Sequence, residues 1–390
     1  MNFNKLTDYL DRLGEDYGVP GYDLIVRKDH ETVYRRMGGF SDYEGKRPVS
    51  DRDLYFLYSA TKVITMTAAM QLIEEGRIGL EDPVSAYLPE FERMEVADHF
   101  VLNQWPPQIP TLADPHHPAG TPITIRMLMT MTAGLNYDIG NAEIVKLREK
   151  TGGRATTRQM MAAIAKMPLL FEPGTHYAYS LGHDVMAAVI ETVTGMTFGR
   201  YLKERIFDPL GIRDACFHLD ETLRSRLTAQ YAADMQTGEI RPAEQTCAYT
   251  LTENYESGGA GLICTADAYA AVMDALACGG VGAADARILS EESLRLMGKN
   301  QLAPEMLPDY QAPWRMEYGY GLGVRALIRP EDSPTPQGEF GWDSAGGAYS
   351  LVDPVNHISI FYAQEILGMI RSYSEIHPAL RNLIYEAIRS

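Results

Sequence analysis

Tyr58 to Lys62 reads Y-S-A-T-K and sets a serine hydroxyl and a lysine amine three residues apart at the head of an apolar run. On a helix, positions i and i+3 share a face, so Ser59 and Lys62 can meet. A serine hydroxyl is a weak nucleophile at its free pKa and needs a base. A lysine amine can be that base if burial among Val63, Met66 and their neighbours lowers its pKa. If Ser59 opens the helix, its own backbone N–H is one of the unpaired amides there, free to hold an oxyanion beside the serine oxygen. An S-x-x-K spacing arises by chance in a chain of 390 residues, so its meaning depends on what accompanies it.

Two further stretches accompany it. F-E-P-G-T-H-Y-A-Y-S-L-G-H-D-V (171–185) puts a Pro-Gly turn ahead of two tyrosines and a helix, and F-G-W-D-S-A-G-G-A-Y-S-L-V-D-P (340–354) puts paired glycines on an expected strand, where they allow close backbone approach. With S-A-T-K these resemble the three signature elements of the serine β-lactamase-like and penicillin-binding superfamily, in its class C-like, carboxylesterase (family VIII esterase) branch. T-P-I-T-I-R-M-L-M-T-M-T-A-G-L (121–135) and S-G-G-A-G-L-I-C-T-A-D (257–267) resemble that family's connecting motifs, so the likeness covers roughly residues 20–365. It implies Ser59 as the acylated nucleophile, Lys62 and Tyr179 as the groups that move its proton, and the amides of Ser59 and Ala345 as the oxyanion donors. Which of Lys62 and Tyr179 is the general base is left open. Tyr179 matches the family tyrosine because Ser180 follows it, whereas Tyr177 reads as packing.

The departures bear on substrate. Many members carry Y-S-N, where this chain has Leu181 in place of the asparagine; many carry K-T-G or H-x-G, where this chain has Trp342, Asp343 and Ser344. A lysine or histidine there helps bind a substrate carboxylate, and Trp342 offers an apolar face instead. Trp342, Ser344, Gly346 and Leu181 are therefore the expected substrate-contacting positions. The resemblance implies hydrolysis of small neutral esters, with possible acyl transfer. The alternatives are β-lactam or D-amino peptide hydrolysis and a penicillin-binding-like module without turnover. No cofactor is implied.

The elements that must position these residues follow from pattern. Residues 22–27 and 31–39 are β-prone runs joined by Lys28, Asp29 and His30, a hairpin. Val63, Met66, Met70 and Ile73 recur at helical spacing up to a stop at Gly76, which predicts a buried helix. Helical patterns at 126–131, 142–150, 157–166 and 183–194 predict a mostly helical lobe over 77–254, with a long irregular loop at 103–122. β-prone runs at 318–329, 347–353 and 357–364 and a closing helix at 375–388 return the chain to the first lobe, 1–76 plus 255–390. The fold class expected is α+β, a β-lactamase/transpeptidase-like antiparallel sheet flanked by helices with an inserted helical lobe.

The formal charge of −17 argues against nucleic acid and anionic membrane partners, leaving a small-molecule ester or amide as the expected partner and the oligomeric state open. Cys216, Cys247, Cys264 and Cys278 show no C-x-x-C spacing and read as reduced thiols. The N-terminus lacks the apolar stretch of a secretory signal, so a cytoplasmic location is expected. The adjacent His116 and His117 in a Pro-rich loop read as surface rather than metal ligands, and His176 and His183 as structural neighbours of Tyr179. G-Y-G-L-G (319–323) lacks the features of a phosphate loop, and no G-x-S-x-G nucleophile elbow occurs.

Overall fold

The computed structural model describes residues 1–102 and 108–390, so the first five residues of the loop expected at 103–122 lie outside it. Its largest sheet is antiparallel and seven-stranded, in the order Tyr318–Tyr320, Arg325–Leu327, Phe340–Asp343, Tyr349–Asp353, Ile358–Ala363, Gly21–Lys28 and Glu31–Gly39. The two ends of the chain meet where Asp23 pairs with Ala363 and Lys28 with Ile358. Side chains alternate across this sheet. Leu24, Val26, Leu351 and Ile360 face one apolar layer, and Ile25, Val352 and Phe361 face another. Both faces are apolar, so both must be covered. The terminal helices Asn4–Asp11 and His377–Arg389 cover the first with Leu6, Leu10, Leu380 and Ile384. Helices Ala266–Ala277 and Thr61–Glu74 belong to the second.

The Thr61–Glu74 helix is buried at every position from Thr61 to Leu72, as its apolar spacing predicted. The short pairing of Tyr55–Phe56 with Ile263–Cys264 ties the segment before Ser59 to the S-G-G-A-G segment. Helices Ala142–Lys150, Thr157–Ile164 and Gly182–Thr194 occupy the stretch expected to be helical. Among the described residues, no helix is long and apolar enough to cross a membrane.

Three expectations change. The run at 318–329 is two paired strands, Gly319 against Ala326, because the chain turns between them with Gly323 at φ 82°. Gly346 and Gly347 lie in the turn after Phe340–Asp343 rather than on a strand. Gly347 has φ 88°, and a Cβ there would fall 2.0 Å from Gln364 Nε2, so the turn needs glycine for both reasons. Within 77–254, Gln230–Ala233 and Ile240–Ala243 form a hairpin that pairs with Ile366–Leu367, and His116–Pro118 pairs with Glu95–Ala97 inside the expected irregular loop.

Candidate active site

The chain leaves the Tyr55–Phe56 strand and enters the helix through Tyr58, whose φ of 43° is left-handed, an uncommon state for a bulky residue. Its buried ring anchors this turn, the hydroxyl donating to Gln230 Oε1 at 2.6 Å. The turn presents Ser59 to a cleft of about 670 Å³ lined by Tyr137, Tyr179, Tyr249, Trp342, Ser344, Ala345 and Tyr373, among others. Ser59 lies in the first turn of its helix. Among the described residues, neither its amide nor that of Ala345 has a hydrogen-bond acceptor.

Lys62 is fully buried one turn on. Its Nζ donates to the Gly259 carbonyl at 2.6 Å and lies 3.4 Å from Ser59 Oγ and 3.5 Å from Tyr137 Oη. No carboxylate among the described residues reaches ion-pair distance of it. Burial therefore lowers its pKa to about 7, against an opposing pull from the more distant Asp184. Asp184 is buried at the start of the Gly182–Thr194 helix, accepting from Ser257 Oγ at 2.6 Å and Tyr255 Oη at 2.8 Å. Gly259 is glycine because a Cβ would sit 2.4 Å from Asp184 Oδ2.

Tyr179 lies ahead of the Gly182–Thr194 helix and donates its hydroxyl to Ser59 Oγ at 2.7 Å. Backbone bonds hold this segment to the 121–135 motif and its sequel: Ala178 to Met131 at 3.0 Å and Leu181 to Asn136 at 3.1 Å. Burial raises the Tyr179 pKa well above the usual tyrosine value, so its proton stays on oxygen at neutral pH. The ring is stacked between Tyr137, at 5.5 Å and 11°, and Trp342, at 5.8 Å and 16°. Lys62 Nζ stands 4.6 Å from the Tyr179 ring centroid. Beyond this aromatic ridge a second arm of about 670 Å³ continues past Phe100, Leu102, Ile109, Leu170 and Tyr177.

Of the residues the sequence nominated, Ser59, Tyr179, Trp342, Ser344 and Ala345 line the cleft, and Lys62 reaches it through its amine. Leu181 does not line it, being 2% exposed with its side chain in the apolar core. Gly346 is also behind the wall, where a Cβ would meet the Tyr58 ring at 3.2 Å. Neither His176 nor His183 lines the cleft: His176 binds Asp309 on the surface, and burial holds the His183 imidazole neutral. His116 and His117 are exposed, with His117 bonded to Asp98. Sequence reasoning missed Tyr137, two residues beyond the 121–135 motif, and it missed Arg315. The Arg315 guanidinium lies over the Tyr310 ring at 4.4 Å, borders both arms, and pairs with no carboxylate among the described residues. The one group of three metal-ligating side chains among the described residues lies elsewhere, at the end of the Ala266–Ala277 helix.

A chain with this layout has known counterparts. It is 31% identical to lovastatin esterase of Penicillium rubens over 74% of this chain and 72% of that protein. It is 28% identical to Protein Rv1367c of Mycobacterium tuberculosis over 83% of this chain and 80% of that one. Among solved structures it resembles EstCE1, described as a hydrolase with promiscuous acyltransferase activity, with a TM-score of 0.77, 25% identity and 98% coverage of each chain. The beta-lactamase family model matches residues 6–380. The match spans every element that carries the cleft, and the chain belongs to the beta-lactamase family.

Proposed function

We propose that the protein is a serine hydrolase that forms an acyl-enzyme on Ser59 from small neutral carboxylic esters and passes the acyl group to water or an alcohol. The observation that carries this reading is the convergence of Tyr179 Oη, at 2.7 Å, and Lys62 Nζ, at 3.4 Å, on one serine oxygen at the floor of the cleft. Lys62, with a pKa of about 7, takes the Ser59 proton as Oγ bonds to the ester carbonyl carbon. The carbonyl oxygen gains the charge and is held by the amides of Ser59 and Ala345, each such donor contributing roughly 3 kcal/mol in acyl transfer. When the C–O bond breaks, the alcohol leaves with a proton relayed through Tyr179, and water or a second alcohol reverses the sequence. Trp342 and the mostly apolar second arm favour an uncharged acyl chain, and the names of the lovastatin esterase and EstCE1 relatives support ester hydrolysis with acyl transfer.

Arg315 supports a second reading, in which the substrate carries a carboxylate, as a β-lactam or D-amino peptide does. The test is turnover of p-nitrophenyl acetate and butyrate and of a chromogenic cephalosporin by wild type and Ser59→Ala. Ester turnover above cephalosporin turnover, lost in the variant, is expected. Activity surviving Ser59→Ala would remove Ser59 as nucleophile, and cephalosporin preference would favour the Arg315 reading. Absence of any covalent adduct with a fluorophosphonate or penicillin, read by intact mass, would leave a binding module.

A further inference from the structure

Away from the cleft, the turn of the first hairpin folds over the end of the Ala266–Ala277 helix. There His30, Asp274 and Cys278 place a nitrogen, an oxygen and a sulfur within 4.8 Å of one another. His30 Nδ1 is 2.9 Å from Asp274 Oδ2. Asp274 and Cys278 are four residues apart on one helical face, with Cys278 at the C-cap. His30 and Asp29 are both left-handed, at φ 70° and 50°, which turns the chain back tightly at this point. Asp274 is 1% exposed, and its other oxygen, Oδ1, is buried with no hydrogen-bond partner. Buried carboxylate oxygens are ordinarily satisfied, and a bound ion or water is a usual partner for one that no protein group meets. A simple His–Asp pair accounts for Oδ2 and leaves Oδ1 unexplained.

We propose that His30, Asp274 and Cys278 form a binding site for one divalent transition-metal ion of the zinc type, with water as a fourth ligand. One imidazole, one carboxylate and one thiolate make a donor set suited to a borderline-soft, four-coordinate ion. The charges close, since carboxylate and thiolate together offset the dication. As the metal–sulfur bond forms, the thiol proton passes to solvent. The partial negative charge of the helix C-terminus adds to the attraction. The ion joins the hairpin turn to a helix whose Tyr269 donates to the Ala60 carbonyl at 2.9 Å, next to Ser59, so its role is to brace the scaffold behind the nucleophile.

The test is titration of the chelator-treated full chain with Co²⁺, followed by competition with Zn²⁺. One equivalent of Co²⁺ is expected to give visible bands of a four-coordinate ion and a near-ultraviolet sulfur-to-metal charge-transfer band, both displaced by Zn²⁺. Cys278→Ser removes the charge-transfer band. His30→Asn keeps it but weakens binding by more than the roughly 10- to 100-fold that loss of an outer-shell partner costs. Both positions are only part-buried, and a wild-type far-ultraviolet circular dichroism spectrum and cooperative urea unfolding of both variants verify folding independently of the metal. Lack of a charge-transfer band at saturating Co²⁺ overturns the proposal. So does a band that survives Cys278→Ser, which would put the ion on Cys216, Cys247 or Cys264.

Discussion

Lys62 and Arg325 are both buried cations, and the chain treats them in opposite ways. Arg325 Nη1 meets Asp343 Oδ1 at 2.9 Å, and its Nη2 meets Glu339 Oε1 at 3.4 Å and the Ser350 carbonyl at 3.0 Å. The rings of Tyr318 and Tyr349 stand 4.9 and 5.0 Å from its guanidinium. Lys62 has a carbonyl, two hydroxyls and the Tyr179 face, with no carboxylate in contact. Burial costs an ion several kcal/mol unless it is paired. At Arg325 pairing repays that cost, and although burial would raise the neighbouring Asp343 carboxyl, Arg325 and His377 hold it at about 2. At Lys62 burial, with no carboxylate in contact to offset it, lowers the amine to about 7. A paired charge becomes scaffold, and an unpaired one becomes a base that titrates near neutrality.

The sharpest way to break this contrast is Lys62→Met. Hydrolysis of p-nitrophenyl butyrate, as kcat/KM, is expected to fall about 10²- to 10⁴-fold, the usual contribution of a general base. Wild-type activity should rise with pH through about 7, because the free amine is the working form and the ammonium below that pH cannot accept a proton. Stability carries the same sign. Between about 7 and the ordinary lysine value of 10.5 the unfolded chain holds a proton that the folded chain lacks, so unfolding free energy rises with pH across that window. Urea melts at several pH values should show this rise in wild type and a flatter response in Lys62→Met.

Arg325→Met makes the opposite cut. Leaving Glu339 and Asp343 without their cation is expected to cost about 3–5 kcal/mol in urea unfolding. The midpoint of the pH–rate limb should stay where Lys62 sets it. A moved midpoint would mean that the two clusters act as one.

The sequence showed Ser59 and Lys62 because their relation is local, one helical turn apart, and it showed the hairpin and the buried helix because periodicity is also local. Tyr179, Trp342 and Ala345 became readable through motif resemblance. Leu181 and Gly346 were misplaced because a motif fixes neighbours along the chain and not the direction of a side chain, and both face the protein interior. Tyr137, Tyr249 and Arg315 reach the cleft from loops and Tyr373 from the helical turn Ser372–Ile376, all distant in sequence from Ser59, and an aromatic residue seen in sequence alone reads as core. The left-handed Tyr58 carried no signal, since neither glycine nor asparagine marks it.

A finer adjustment of the same contrast comes from Asp184, the distant charge that keeps the Lys62 pKa from falling further. Asp184→Asn retains an oxygen to accept from Ser257 and Tyr255, which keeps the hydrogen bonds at Oδ1 in place. It removes the electrostatic pull and turns the oxygen that faces the Gly259 amide into a donor, so the pH–rate midpoint should move to lower pH with a modest loss in the plateau rate.

Tyr137→Phe is the smallest cut, because it removes one hydroxyl 3.5 Å from Lys62 and leaves the stack on Tyr179 in place. A hydrogen bond of that kind contributes about 1 kcal/mol, which corresponds to roughly a five-fold loss in kcat/KM. The remaining partners of the amine, the Gly259 carbonyl and Ser59, set where it sits, so the pH–rate midpoint should stay close to wild type. If Tyr137→Phe instead abolished turnover while the protein melted normally, the proton route would run through Tyr137, and the lack of a carboxylate beside Lys62 would no longer suffice to explain its chemistry.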